Sequence, residues 1–144
     1  MKRLCGIWLL VTLVFTLGAN TGCHSFSRVN RLEPIEGHLD LPAPGSKLRE
    51  TGIVGGWAVA ESGVKRIAVY IDKQFIRFIK PEEKRPDIAK IYAHDFPESA
   101  EKSGWTFMLD VSKMADGVHE IVTQVETNKG GMREFAPVQF QVIH

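Results

Sequence analysis

Hydrophobic and polar positions alternate with a period of two over most of this chain from about residue 36 onward, with no long run at helical spacing. Residues 37–41 form the first predicted strand, ended by Pro42-Ala43-Pro44-Gly45, where two prolines cannot donate to a ladder and a glycine permits reversal. A second strand over 53–60 carries Trp57 and Val59 on one face. After the turn Glu61-Ser62-Gly63, residues 64–72 place Ile67, Val69 and Ile71 together, and Asp72-Lys73-Gln74 leads into a strand at 75–80. Beyond a break at 81–104, Trp105, Phe107 and Leu109 alternate with Thr106, Met108 and Asp110. His119, Ile121, Thr123 and Val125 share a face of the next strand. Asn128-Lys129-Gly130-Gly131 tolerates the positive φ that a hairpin loop needs, and 132–143 finishes the sheet with Pro137 marking an edge or bulge. Seven strands in about 110 residues is the count and spacing of an all-β Greek-key sandwich.

The first residues follow a different pattern. Lys2 and Arg3 precede a nearly unbroken apolar run over 4–19, shorter than the roughly 17–25 residues of a membrane-spanning helix, so 1–22 is predicted to be an export signal that is removed. Gly22-Cys23 after that run resembles the lipobox of bacterial lipoproteins, which implies that Cys23 becomes the acylated first residue of the mature chain, carrying palmitate-like chains. The cysteine count agrees with that reading. Cys5 leaves with the signal, so one thiol remains and no internal disulfide is possible. Residues 23–35 read as a tether and 36–144 as the domain, so the expected protein is exported and anchored to a membrane of the cell envelope. His24 in the second mature position, rather than aspartate, points to the outer membrane in a Gram-negative host.

Composition narrows the function classes. At 144 residues, 44% hydrophobic and 24% charged, the chain is one ordinary globular domain, and a net charge of +1 supplies no field for nucleic acid. GxSxG, HExxH, a P-loop, GxGxxG after a strand and CxxC pairs are all missing, which closes the common routes to hydrolase, metalloprotease, nucleotide and zinc chemistry. His94-Asp95 with Asp87 is the nearest approach to a metal or acid–base set, and an exposed loop leaves such residues solvated. No metal, cofactor or catalytic residue is expected.

Gly56-Trp57-Ala58-Val59, Ser62-Gly63-Val64, Val69-Tyr70-Ile71-Asp72, Ser103-Gly104-Trp105 and Ala115-Asp116-Gly117-Val118-His119 together resemble bacterial immunoglobulin-like domains of secreted and surface proteins. Arg85-Pro86-Asp87 followed by Tyr92, Phe96 and Pro97 is similar to an insertion between the central strands of one subgroup. The resemblance spans about 41–143 and implies an accessory, adhesive or spacing module. It also gives His119 a role. A tyrosine two positions before a core residue of the penultimate strand bonds back across the corner in such domains, and His119 stands there with Ile121 in the core position.

Trp57 and Trp105 are expected in the core. In the insertion, Asp87-Ile88-Ala89-Lys90-Ile91-Tyr92 reads as a short helix entered through Pro86, with Arg-Pro-Asp fixing the loop through a charged hydrogen bond and a helix N-cap. A loop of this length is often functional, and Lys84, Lys90, Tyr92, His94 and Phe96 are the candidate binding residues, although Tyr92 and Phe96 equally suit pins holding the insertion to the sandwich. The expected function is a non-catalytic binding or structural module recognising a protein or an envelope glycan. The alternative is a small inhibitor or assembly factor for an envelope enzyme.

Overall fold

Alternating apolar residues carry the chain into nine strands and one short helix over residues 33–144, the part that the computed structural model describes. The expected signal segment and Cys23 lie outside the described residues. In order the elements are β1 (Ile35–Leu41), β2 (Lys47–Leu48), β3 (Thr51–Ala60), β4 (Val64–Ile71), β5 (Gln74–Ile79), α1 (Pro86–Tyr92), β6 (Gly104–Asp110), β7 (Gly117–Thr127), β8 (Met132–Glu134) and β9 (Val138–Val142). A three-stranded sheet runs β1-β3-β6, and a larger sheet runs β2-β9-β7-β4-β5, with β8 also paired to β7. Pairing is antiparallel except between β2 and β9. The chain changes sheet between β1 and β2, β2 and β3, β3 and β4, β5 and β6, and β6 and β7. This is an immunoglobulin-like Greek-key β-sandwich.

Period two places the core between the sheets. Ile35, Leu39, Val54, Ala58, Trp105 and Leu109 from the smaller sheet meet Ile67, Val69, Ile71, Ile121, Val125, Phe140 and Val142 from the larger one. Trp105 lies directly across from Gly56 in the β3–β6 register. Glycine is required there, because a Cβ on residue 56 would overlap the carbonyl oxygen of His38 on the other neighbouring strand.

Several boundaries differ from the sequence expectation. Lys47–Leu48 forms a two-residue strand on the edge of β9 that no alternation announces. The segment 132–143 is two strands rather than one: β8 pairs with 124–126 of β7 and β9 with 117–121, and Pro137, lacking an N–H, sits in the break between them. The fold also begins inside the expected tether, because Ile35 is buried and the Glu33 carboxylate accepts hydrogen bonds from the Ser62 N–H and the Thr127 hydroxyl. Finally, β6 starts at Gly104, so the insertion covers 80–103.

The β4–β5 hairpin turns on two residues, with Ile71 paired to Gln74 and both Asp72 (φ 49°) and Lys73 (φ 67°) left-handed. That is the geometry of a primed turn, made here without glycine.

Candidate functional site

The insertion begins by attaching itself to β6. Glu82 and Glu83 N–H groups both donate to the Gly104 carbonyl (3.1 and 3.0 Å), and the Gly104 N–H donates back to Glu83 (3.0 Å). Gly104 admits this approach because a Cβ there would lie 2.8 Å from Cγ of Arg85 and 3.1 Å from Cβ of Glu83. Pro81, just before this attachment, is buried.

Arg85 then ties the insertion to the sandwich. Its Nε and Nη2 donate to the two oxygens of Asp87 (2.9 and 2.7 Å), while Nη1 donates to Oδ2 of Asp40 on β1 (2.8 Å). A planar guanidinium with donors on two edges serves both carboxylates at once, which a lysine cannot do. The bond from Arg85 holds the Asp87 carboxyl down at about 2, and the same bond raises the guanidinium pKa further above its ordinary value. The charged hydrogen bond within Arg-Pro-Asp is therefore present, whereas the N-cap is not. Arg85 itself occupies the N-cap position with no side-chain capping bond, and Asp87 falls inside the first turn with its oxygens turned to Arg85.

Seven residues are too few for a stable isolated helix, so packing must hold α1. Ile88, Phe96 and Ala100 are buried against Val59, and Trp57 and Tyr92 close the cluster, with ring centroids 5.3 Å apart between Trp57 and Tyr92 and 5.9 Å between Tyr92 and Phe96. This corrects the placement of Trp57. It shares a face with Val59, but that face is the outer one of the smaller sheet, and the insertion covers it. Trp105 is in the central core, 2% exposed. The far end of the insertion is pinned by Ser99, whose hydroxyl accepts from the Ala60 N–H (3.0 Å) and donates to the Ala60 carbonyl (2.9 Å) at the end of β3.

The candidate binding residues divide accordingly. Lys84, Lys90 and His94 are exposed on the outer side of the insertion. Phe96 is 6% exposed and packs against the sandwich, so little of it is open to a partner. Tyr92 is half-buried and, with Phe96, lines an open hollow of about 550 Å³ walled also by Pro34, Glu36, Glu61 and Asp95. Lys84 lies 3.8 Å from Glu101. Among the described residues, no three His, Cys, Asp or Glu side chains group as a metal site.

His119 sits at the opposite end of the sandwich. Its Nε2 is 2.8 Å from the Ala115 carbonyl oxygen and its Nδ1 is 2.6 Å from Oδ2 of Asp72, while Oδ1 of Asp72 accepts from the Glu120 N–H (3.0 Å). The bond to Asp72, then that to Ala115, raises the imidazole pKa above its ordinary value. Burial pushes the Asp72 carboxyl up, and the bonds from Glu120 and His119 outweigh it and leave that pKa lowered.

Sequence reasoning had no hold on Asp40, Ser99, Asp72 as the partner of His119, or Glu33. Each acts across a long separation, and nothing in the local pattern around them announces a partner.

No family model and no curated protein matches the sequence. Solved structures similar in fold include an endo-β-1,4-mannanase from Thermotoga petrophila, at 15% identity and a TM-score of 0.48 over 83% of this chain and 21% of that one. The fibronectin(III)-like modules of Clostridium thermocellum CbhA match at 12% identity and 0.48 over 75% of this chain and 46% of that one. The CARDB domain of a Pyrococcus furiosus protein matches at 10% identity and 0.40 over 76% and 90%. The chain spans less than half the length of the first two. The fold class itself follows from the strand order and the shared core between the sheets.

Proposed function

We propose that this chain is a non-catalytic, immunoglobulin-like recognition module of the bacterial cell envelope, acylated at Cys23 and presenting its insertion to an envelope protein or glycan. The observation that carries the reading is the build of the insertion. One side is fixed by Ile88, Phe96, Ser99 and the Arg85 fork, and the other exposes Lys84, Lys90 and His94. The backbone of such a surface is preorganised for contact and loses little conformational entropy on binding. The fold is under way at Glu33, ten positions after Cys23, so the domain stands within roughly 35 Å of the lipid even with the tether extended.

Two arms test the reading. The wild type is expected to incorporate a palmitate analogue and Cys23→Ala to accumulate as uncut precursor; an unlabelled wild type removes the anchor. The triple variant Lys84→Ala, Lys90→Ala, His94→Ala is expected to keep its melting temperature while losing capture of isolated envelope polysaccharide or of its envelope protein. Full capture by that variant moves recognition to another surface.

A further inference from the structure

Strand β5 ends the larger sheet, with β4 on one side and, among the described residues, no strand on the other. Among the described residues its outer backbone edge is unpaired, and Phe75, Ile76 and Phe78 are 49%, 40% and 49% exposed. An open edge flanked by apolar side chains is a template for a further strand.

The aromatic residues form one surface on the outer face. Ring centroids of Phe75 and Phe78 are 4.7 Å apart, Tyr70 and Phe75 are 5.8 Å apart, and the Arg66 guanidinium lies 4.0 Å above Phe78. Arg77 reaches the other way, 4.9 Å from the Phe107 ring on the edge of the opposing sheet.

Charge selects the occupant. From Lys73 to Lys80 the chain carries Lys73, Arg77 and Lys80 and no carboxylate. Arg66 and Lys65 are both engaged by Glu126, and Lys80 lies 3.8 Å from Glu82. Among the described residues, Lys73 and Arg77 have no carboxylate oxygen within 4.0 Å. A second copy pairing antiparallel through β5 would set these cations against their own images. The register shift opposite Val69/Tyr70, which leaves Ile76 as a bulge, further interrupts a flat self-ladder. The 53° tilt between Phe75 and Phe78 presents no flat platform for a sugar ring.

We infer that β5 is a docking edge for an extended, acidic and apolar segment of another protein, which joins the larger sheet as a further strand with a carboxylate at Arg77 and apolar side chains against Phe75 and Phe78. Backbone bonds supply the affinity of such an added strand, and the side chains choose the partner. The inference draws neither on the exposed positions of the insertion nor on Cys23, so it and the proposed function stand or fall independently.

The test uses the full-length protein in detergent and a labelled peptide of about eight alternating glutamates and valines, with the lysine–valine peptide as control. The acidic peptide is expected to bind with an affinity that falls as salt rises, and to shift the backbone amide resonances of 74–79. Arg77→Glu should weaken it about tenfold or more while the domain stays folded at the assay temperature, whereas Lys90→Glu on the insertion should not. No amide shift at 74–79 up to millimolar peptide overturns the inference, as does an equal loss in Lys90→Glu, which reduces the effect to general charge. Concentration-dependent dimers that Phe78→Ser abolishes would assign the edge to a second copy instead.

Discussion

One carboxylate, that of Asp72, closes both a turn and a corner. Its left-handed backbone makes the β4–β5 hairpin, one oxygen takes the Glu120 N–H, and the other faces Nδ1 of His119. The Ala115 carbonyl at the other ring nitrogen can only accept, and so can the ionised carboxylate, so both bonds are made together only by the doubly protonated imidazolium. The raised pKa of His119 has that origin. A group whose pKa is raised on folding stabilises the fold fully below its unfolded value of about 6.5, and the contribution is lost as pH rises through the folded value. Urea unfolding of the wild type is therefore expected to weaken from about pH 6.5 upward through His119's elevated pKa. His119→Gln should flatten that slope and cost about 1–3 kcal/mol at the acidic end of the window. An unchanged slope in His119→Gln would assign it to another group.

Among the elements, the insertion is the one that cannot stand by itself. Helix α1 has seven residues and no side-chain cap, and its order comes from Ile88 and Phe96 beneath it and from Arg85 across to β1. Phe96→Ala removes the largest buried ring of this cluster and is expected to cost about 3–5 kcal/mol. Part of that loss should appear as local opening, because the cluster lies outside the central core. Limited proteolysis should then cut Phe96→Ala within 80–103 before the sandwich unfolds, while the wild type and the Lys84/Lys90/His94 triple variant resist alike. Cleavage spread evenly over the chain would show instead that insertion and sandwich unfold as one unit.

For the whole molecule, stability resides in the contact between the two sheets. Trp105 crosses that contact from β6, opposite Gly56, and its indole Nε1–H has no hydrogen-bond partner among the described residues. Trp105→Ala should cost about 3–5 kcal/mol in urea unfolding. Trp105→Phe should cost clearly less, since it keeps most of the ring and removes a buried donor that finds no partner among the described residues. Equal losses would mean that the missing bond is made in solution.

Alternation and turn residues by themselves determined the sandwich. Inward residues of β4 and β7 stand in every second position, glycine and proline mark the reversals, and Pro86 opens the short helix. The exposed positions Lys84, Lys90 and His94 were legible for the same reason, being polar residues in a stretch without strand periodicity. Only the tertiary structure decided what covers each face. In the second half of β3 both faces are apolar, so period two could put Trp57 and Val59 on one face without saying whether that face meets the other sheet or the insertion. Arg85 with Asp40 and His119 with Asp72 lie 45 and 47 residues apart in sequence. A local pattern reports which residues share a face; which distant partner closes a charge depends on how the sheets and the insertion pack together.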